Sequence, residues 1–229
     1  MDLKIEDVAE LIGVSKATVR RWITLGKIPA YRLHHEYRFS RNEIENWMLK
    51  SKLVPISSSS EIEDDTFANR AGMQHFGLYR AIHRGGVQEA VLGHTKEEVI
   101  CSATLPIATT LGLDPEVLAE LLLDRESLMP TALGHGVAVP HSRECLEQIP
   151  FDLISVVFPS QPIEYGALNG ELVHTLFFLF ASSDKVHLQL LAKIAHLILH
   201  PEALALLKNR ATKTSLLEFI REWEAGLRL

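Results

Sequence analysis

Between Leu53 and Asp65 the chain reads "LVPISSSSEIEDD", and neither a helical nor a strand period runs through it. A serine run followed by Glu61, Glu63, Asp64 and Asp65 has too little apolar surface to build a core, so it reads as a tether. That stretch argues against one continuous core. It divides the 229 residues into a small unit at 1-52, a linker at 53-72 and a larger unit at 73-229. Charge divides at the same place. Residues 1-52 hold ten Lys/Arg against seven Asp/Glu, a net of +3, while the remainder has thirteen against twenty-two, a net of -9. A basic head on an acidic body suits two different partners.

The bulk features exclude several classes. The longest apolar run, around Leu176 to Ala181, is far shorter than the roughly 20 residues that span a bilayer. "MDLKIEDVAE" lacks the basic-then-apolar layout of a secretory signal, and Cys101 and Cys145 make no disulfide framework. The expectation is a soluble, cytoplasmic protein with no membrane insertion.

In the head, Ile5, Val8, Ala9 and Ile12 fall on one helical stripe, Gly13 breaks that helix, and Ser15 is a good N-cap for the next. In the second helix Val19, Trp22 and Ile23 face inward, which leaves Lys16, Thr18, Arg20 and Arg21 for solvent or phosphate. "AYRLHHEYRF" alternates as a hairpin with His34-His35-Glu36 near its tip. Ser40 and Glu43 have the spacing of a capping box before a last helix that buries Ile44, Trp47 and Met48. Helix, tight turn, helix and hairpin is a winged helix-turn-helix, whose second helix has the size of a DNA major groove.

"DVAELIGVSKATVRRWITLGKIPAYRL" followed by "YRFSRNEIENWM" resembles the excisionase-type, MerR-like DNA-binding domain over about residues 2-50. The resemblance implies that Ser15, Lys16, Thr18, Arg20 and Arg21 lie at or near DNA, with Arg38 and the hairpin tip as a wing. The family often has glycine at that tip, where this chain has two histidines and a glutamate. Phosphate contacts by the basic residues would supply affinity, while little in the head predicts the base sequence read.

The body alternates strands and helices. Thr95-Lys96-Glu97-Glu98 and Asp114-Pro115-Glu116 are helix starts, and the second helix is expected to turn Val117, Leu118, Leu121 and Leu122 inward. "LISVVFP" and "GALNGELVHTLFFLFAS" are strand-like, while "DKVHLQLLAKIAHLIL", "PEALALLKN" and "SLLEFIREWEAG" are helical. The fold class is α/β, a sheet flanked by helices.

"GHGVAVPHSRE" is the stretch with chemistry in it. Val137-Ala138-Val139 reads as a buried strand that Pro140 stops, so that His141 is held at an edge rather than in the core. A neutral imidazole can have one nitrogen held by a hydrogen bond while the other reacts. Arg143 and Arg125 can meet phosphate oxygens with forked hydrogen bonds, and His187 lies in the first turn of a helix capped by Ser183 or Asp184, where an anion is favoured. His196 and His200 read as structural or surface residues. A metal enzyme using His135, His141, Cys145 or His187 lacks a compact third ligand and an H-E-x-x-H, so no metal and no cofactor are expected.

"AIHRGGV", "LLLDRESL", "GHGVAVPHSR", "GALNGELVHTLFFLFAS" and "HLQLLAKIAHLI" occur in the order seen in enzyme IIA domains of the phosphoenolpyruvate-dependent sugar phosphotransferase system. The resemblance covers about residues 75-225 and is strongest to the fructose/mannitol type and its nitrogen-regulatory branch. It implies a mixed β-sheet flanked by helices and a reactive histidine in a shallow depression that a partner can reach. By that resemblance His141 accepts a phosphoryl group from a histidine-phosphocarrier protein, His187 is the supporting second histidine, and Arg125 is the arginine of the "R-E" pair. Met129 and His135 depart from the family pattern in the loop before His141. No nucleotide-binding G-x-x-x-x-G-K-[ST] is present, so the phosphate is expected from a phosphoprotein. The joined expectation is a phosphorylation-responsive transcriptional regulator, a phosphoryl carrier rather than a turnover enzyme. Service to a separate sugar permease, docking on another regulator, or a non-phosphorylated oligomerisation or sensor body are the alternatives, and a homodimer is among the expected partners.

Overall fold

The computed structural model describes residues 2–12, 14–33, 36–50, 77–143, 146, 149 and 151–227; the expected linker and the tip histidines His34 and His35 lie outside them. In the head, α1 (Ile5–Ile12) and α2 (Lys16–Thr24) are followed by the antiparallel hairpin β2 (Tyr31–Leu33) and β3 (Glu36–Ser40), then α3 (Arg41–Lys50). Ser15 caps α2 as its spacing predicts, accepting from the Thr18 N–H. Two features differ from expectation. A three-residue strand, β1 (Asp2–Lys4), pairs with β3 ahead of α1, so the wing is a three-stranded sheet in the order β1-β3-β2. Ser40 stays in β3, with no capping bond from its hydroxyl among the described residues.

The body is built on a five-stranded mixed sheet in the order β4-β7-β8-β6-β5: β4 (Val87–Val91), β5 (Ala132–Gly134), β6 (Val137–Ala138), β7 (Leu153–Pro159) and β8 (Thr175–Phe180). Strands β4 and β7 run parallel, β7 and β8 antiparallel, and β8 and β6 parallel. Every residue of β7 and β8 is buried, which is why both read as unbroken apolar runs. The two-residue period then sorts them. Ile154, Val156, Phe158, Phe177 and Leu179 face a cluster shared with α4 (Gly77–Gly85), α7 (Asp184–Leu197), α8 (Pro201–Lys208) and α9 (Lys213–Gly226). Leu153, Val157, Leu176, Phe178 and Phe180 face α5 (Lys96–Leu111) and α6 (Pro115–Leu128).

One glycine sets how closely α4 can lie on the sheet. A Cβ at Gly85 would stand 2.2 Å from the Ile154 carbonyl oxygen, so only glycine lets the helix end against β7. On α6 the expected inward set is halved. Leu118 and Leu122 are buried, whereas Val117 and Leu121 are exposed, because residues one apart lie 100° around the helix and the sheet covers one side only. His196 and His200 do serve structure, with rings packed against Trp223 and Phe219. Among the described residues no single helix is long and apolar enough to cross a membrane.

The head sits on the body. Leu188 of α7, fully buried, belongs to the same apolar cluster as Val8, Ala9, Ile44 and Met48, with Ala192 packed beside it. Lys185 pairs with Glu10 at 3.0 Å on the rim of this contact.

Candidate active site

Val137, Ala138 and Val139 are buried, and the segment after them continues beside β8, where the Leu179 N–H donates to the Pro140 carbonyl. This fixes the backbone of His141. Its Nδ1 lies 2.7 Å from the carbonyl oxygen of Val139, an acceptor only, so Nδ1 carries the proton and donates. The ring therefore turns Nε2 away from its own strand. The hairpin ahead of it is tight: Gly136 has φ +71°, and a Cβ there would meet the His174 ring at 2.4 Å. His135 in that turn is exposed with φ +54° and joins no site among the described residues.

His187 reaches the same point from the start of α7, which Ser183 caps by accepting from the Val186 N–H. The two imidazole centroids are 5.0 Å apart. Arg125, near the end of α6, supplies the cation, and its guanidinium is aimed by a bond from one terminal nitrogen to the Met129 carbonyl at 3.0 Å. The backbone of Met129 thus has a part in the site, although nothing explains its side chain. Beneath lies buried Glu126, which accepts from the N–H and the hydroxyl of Thr131; burial raises its carboxyl above the ordinary range.

Sequence reasoning places His141, His187 and Arg125 together, and they meet. It does not anticipate what meets them. Glu45 of α3, only 2% exposed, enters the site from the head. Its Oε1 accepts from Arg125 Nε at 3.1 Å and from a terminal nitrogen at 2.7 Å, and lies 2.6 Å from His141 Nε2. Its Oε2 stands 3.5 Å from His187 Nε2, and neither of those atoms finds a hydrogen bond among the described residues. One turn earlier, Arg41 donates to Asp184 Oδ1 at 2.8 Å and to the Arg143 carbonyl at 3.0 Å. Arg143 therefore contributes backbone; its side chain is exposed and makes no bond among the described residues.

The expected shallow, reachable depression is thus closed, and His141 is fully buried, because α3 of the head covers it. Only the one-turn spacing of Arg41 and Glu45, interleaved with apolar Ile44 and Met48, hints at this in the sequence.

The electrostatics are those of an anion site. Burial alone would raise the Glu45 carboxyl, but the charge and hydrogen bond of His141, then the nearness of the His187 ring, outweigh it. They hold Glu45 well below the usual carboxylate range. Burial, above all, lowers His187 to about 4, with the nearby His141 and Arg41 acting in the same direction against Glu45. An ionised carboxylate only accepts, so His141 Nε2 must donate to Glu45 while Nδ1 donates to Val139. Glu45, His141 and His187 also bring ligand atoms within 4.8 Å of one another, enough for a metal ion by proximity. However, the direct 2.6 Å bond leaves no gap between His141 and Glu45, and a guanidinium already sits on that oxygen. The residues fit an anion better than a cation.

The residues expected at DNA behave differently. Lys16, Arg20 and Arg21 are exposed with the head docked. Lys16 pairs with Glu6 at 3.1 Å, Arg38 pairs with Glu36 at 2.6 Å, and the Ser15 and Thr18 hydroxyls bond each other.

Comparison with known proteins bears on both parts. The family model "Phosphoenolpyruvate-dependent sugar phosphotransferase system, EIIA 2" matches residues 86–223, and a helix-turn-helix domain model matches residues 3–52. Over 108 residues the chain is 33% identical to a nitrogen regulatory protein of Bradyrhizobium diazoefficiens, spanning 46% of this chain and 69% of that one. Among solved structures, the nitrogen regulatory protein IIA-Ntr of Neisseria meningitidis shares the fold with a TM-score of 0.53 at 23% identity, over 58% of this chain and 91% of that one. Mannitol enzyme IIA of Escherichia coli, solved in complex with phosphorylated enzyme IIB, gives 0.52 at 20% identity, over 59% and 94%.

Proposed function

The chain belongs to the EIIA 2 family of the phosphoenolpyruvate-dependent sugar phosphotransferase system, with a helix-turn-helix domain ahead of that region, and we propose that it is a phosphorylation-responsive regulator of transcription. In this reading His141 Nε2 accepts a phosphoryl group from a histidine-phosphocarrier protein. The observation that carries it is the tether of His141 Nδ1 to the Val139 carbonyl, which leaves Nε2 as the nitrogen facing Arg125 and His187.

Transfer needs little covalent chemistry from the protein beyond the nucleophile. The Nε2 lone pair forms the bond to phosphorus as the donor's nitrogen–phosphorus bond breaks, and the donor nitrogen leaves with its electron pair. Arg125, already aimed by Met129, meets the phosphoryl oxygens with its fork, and His187, neutral at physiological pH, adds a hydrogen bond. The exposed Lys16, Arg20 and Arg21 support DNA-backbone contact by the head, with Ser15 and Thr18 at the start of the recognition helix and Arg38 in the wing.

Incubating the whole chain with phosphoenolpyruvate, enzyme I and the phosphocarrier, followed by intact mass measurement, tests the reading. One added phosphate that is lost in His141→Ala is expected. No added phosphate, or one that survives that substitution, would overturn it.

A further inference from the structure

The docked carboxylate has a place in this scheme that the activity alone does not require. We propose that Glu45 is a built-in stand-in for the phosphoryl group: the head's α3 plugs the acceptor site, so docking of the head and phosphorylation of His141 exclude each other. This rests on the reading of His141 as phosphoryl acceptor.

Three observations carry it. First, Glu45 takes the contacts an incoming phosphoryl group would need. Its Oε1 holds the Arg125 fork and stands 2.6 Å from Nε2, the nitrogen that must form the bond to phosphorus. Phosphorus and its oxygens would fall on that oxygen, and a group of about -2 charge would meet a buried carboxylate. Second, the pocket offers more donors than a carboxylate uses. His187 Nε2, on the body, is buried without a hydrogen-bond partner among the described residues, in a site whose natural occupant would carry three oxygens. Third, the plug is anchored. Arg41 is bound to Asp184 and the Arg143 carbonyl one turn before Glu45, and Leu188 completes the head's apolar cluster.

The consequence is a change of tether rather than of concealment. Lys16, Arg20 and Arg21 are exposed in the docked state, so the plug does not cover the DNA-binding face. Phosphorylation would instead free the head from the body and change what the body can do beside bound DNA. The step balances. The proton that Nε2 gives to Glu45 passes to solvent as α3 withdraws, Nε2 takes the phosphoryl group, and the donor histidine regains a proton.

The test uses the full chain and two readouts. With phosphoenolpyruvate, enzyme I and phosphocarrier, Glu45→Gln and Arg41→Ala are each expected to accept phosphate about tenfold faster or more, since a charge-assisted bond no longer has to be broken. Backbone 15N relaxation is expected to show head and body tumbling together before phosphorylation and separately after it, with no change in His141→Ala. Equal rates in wild type and both variants, or a phosphorylated chain whose head still tumbles with the body, would overturn the plug while leaving His141 as acceptor. No phosphate uptake by any form, Glu45→Gln included, would overturn the underlying reading and the plug with it.

Discussion

Two helices of the same small head treat their charges in opposite ways. On α2, Lys16, Arg20 and Arg21 point to solvent. On α3, Arg41 and Glu45 are 6% and 2% exposed and bond to residues 80 or more positions away in the chain. Exposed cations are individually cheap to change, whereas a buried charge depends on its partner for its existence. The head therefore has one face whose charges can change without disturbing the fold, and another whose charges are tied to Asp184, Arg125 and His141 of the body.

The most severe way to break the contrast is Arg125→Met. It leaves Glu45 buried beside one fewer cation and is expected to cost about 3–5 kcal/mol of docking and stability, measured by denaturant unfolding. Acid sharpens it next. Native His187 takes up a proton only near pH 4, against an ordinary value of 6.5. Between those values the unfolded chain binds more protons, so this group makes stability fall as pH drops from about 6.5 to about 4. The full effect, on the order of 3 kcal/mol, is reached below that window. Unfolding free energies across that range are expected to lose most of this slope in His187→Asn. Lys185→Ala removes only the rim pair with Glu10, about half-exposed on the lysine side, and is expected to cost roughly 0.2–1 kcal/mol. Smallest in stability is Arg21→Ala, expected within about 0.5 kcal/mol of wild type, yet it should weaken binding to a promoter fragment and lower the salt slope by about 1. A loss of stability there as large as at Arg125 would erase the distinction between the two faces.

What could be read from the sequence follows the same division. Local signals survive in local sequence: the stripe in α1, the Ser15 and Asp114 caps, and the apolar runs of β7 and β8 each reflect contacts that a period or a cap residue records. His141 stands out because a proline and a buried strand frame it. β1 is three residues long, too short to show alternation, and becomes a strand only because β3 is there to pair with it. Half of the apolar stripe on α6 misleads for a related reason, since periodicity gives a face but not the width of the surface that covers it. Arg41 and Glu45 carry only their one-turn spacing, a mark that many solvated helix faces share. Their burial is created by Asp184, Arg125 and His141 from another domain.

The contact between Glu45 and Arg125 joins the two parts, so its coupling energy is the most direct measurement of the account. A double-mutant cycle of Glu45→Gln, Arg125→Met and the pair, read by unfolding free energy of the full chain, isolates it. The account predicts a coupling of about 1.5 kcal/mol or more, in keeping with a bond to a charged group. Additivity within about 0.5 kcal/mol would contradict the docked head and the plugged acceptor site together.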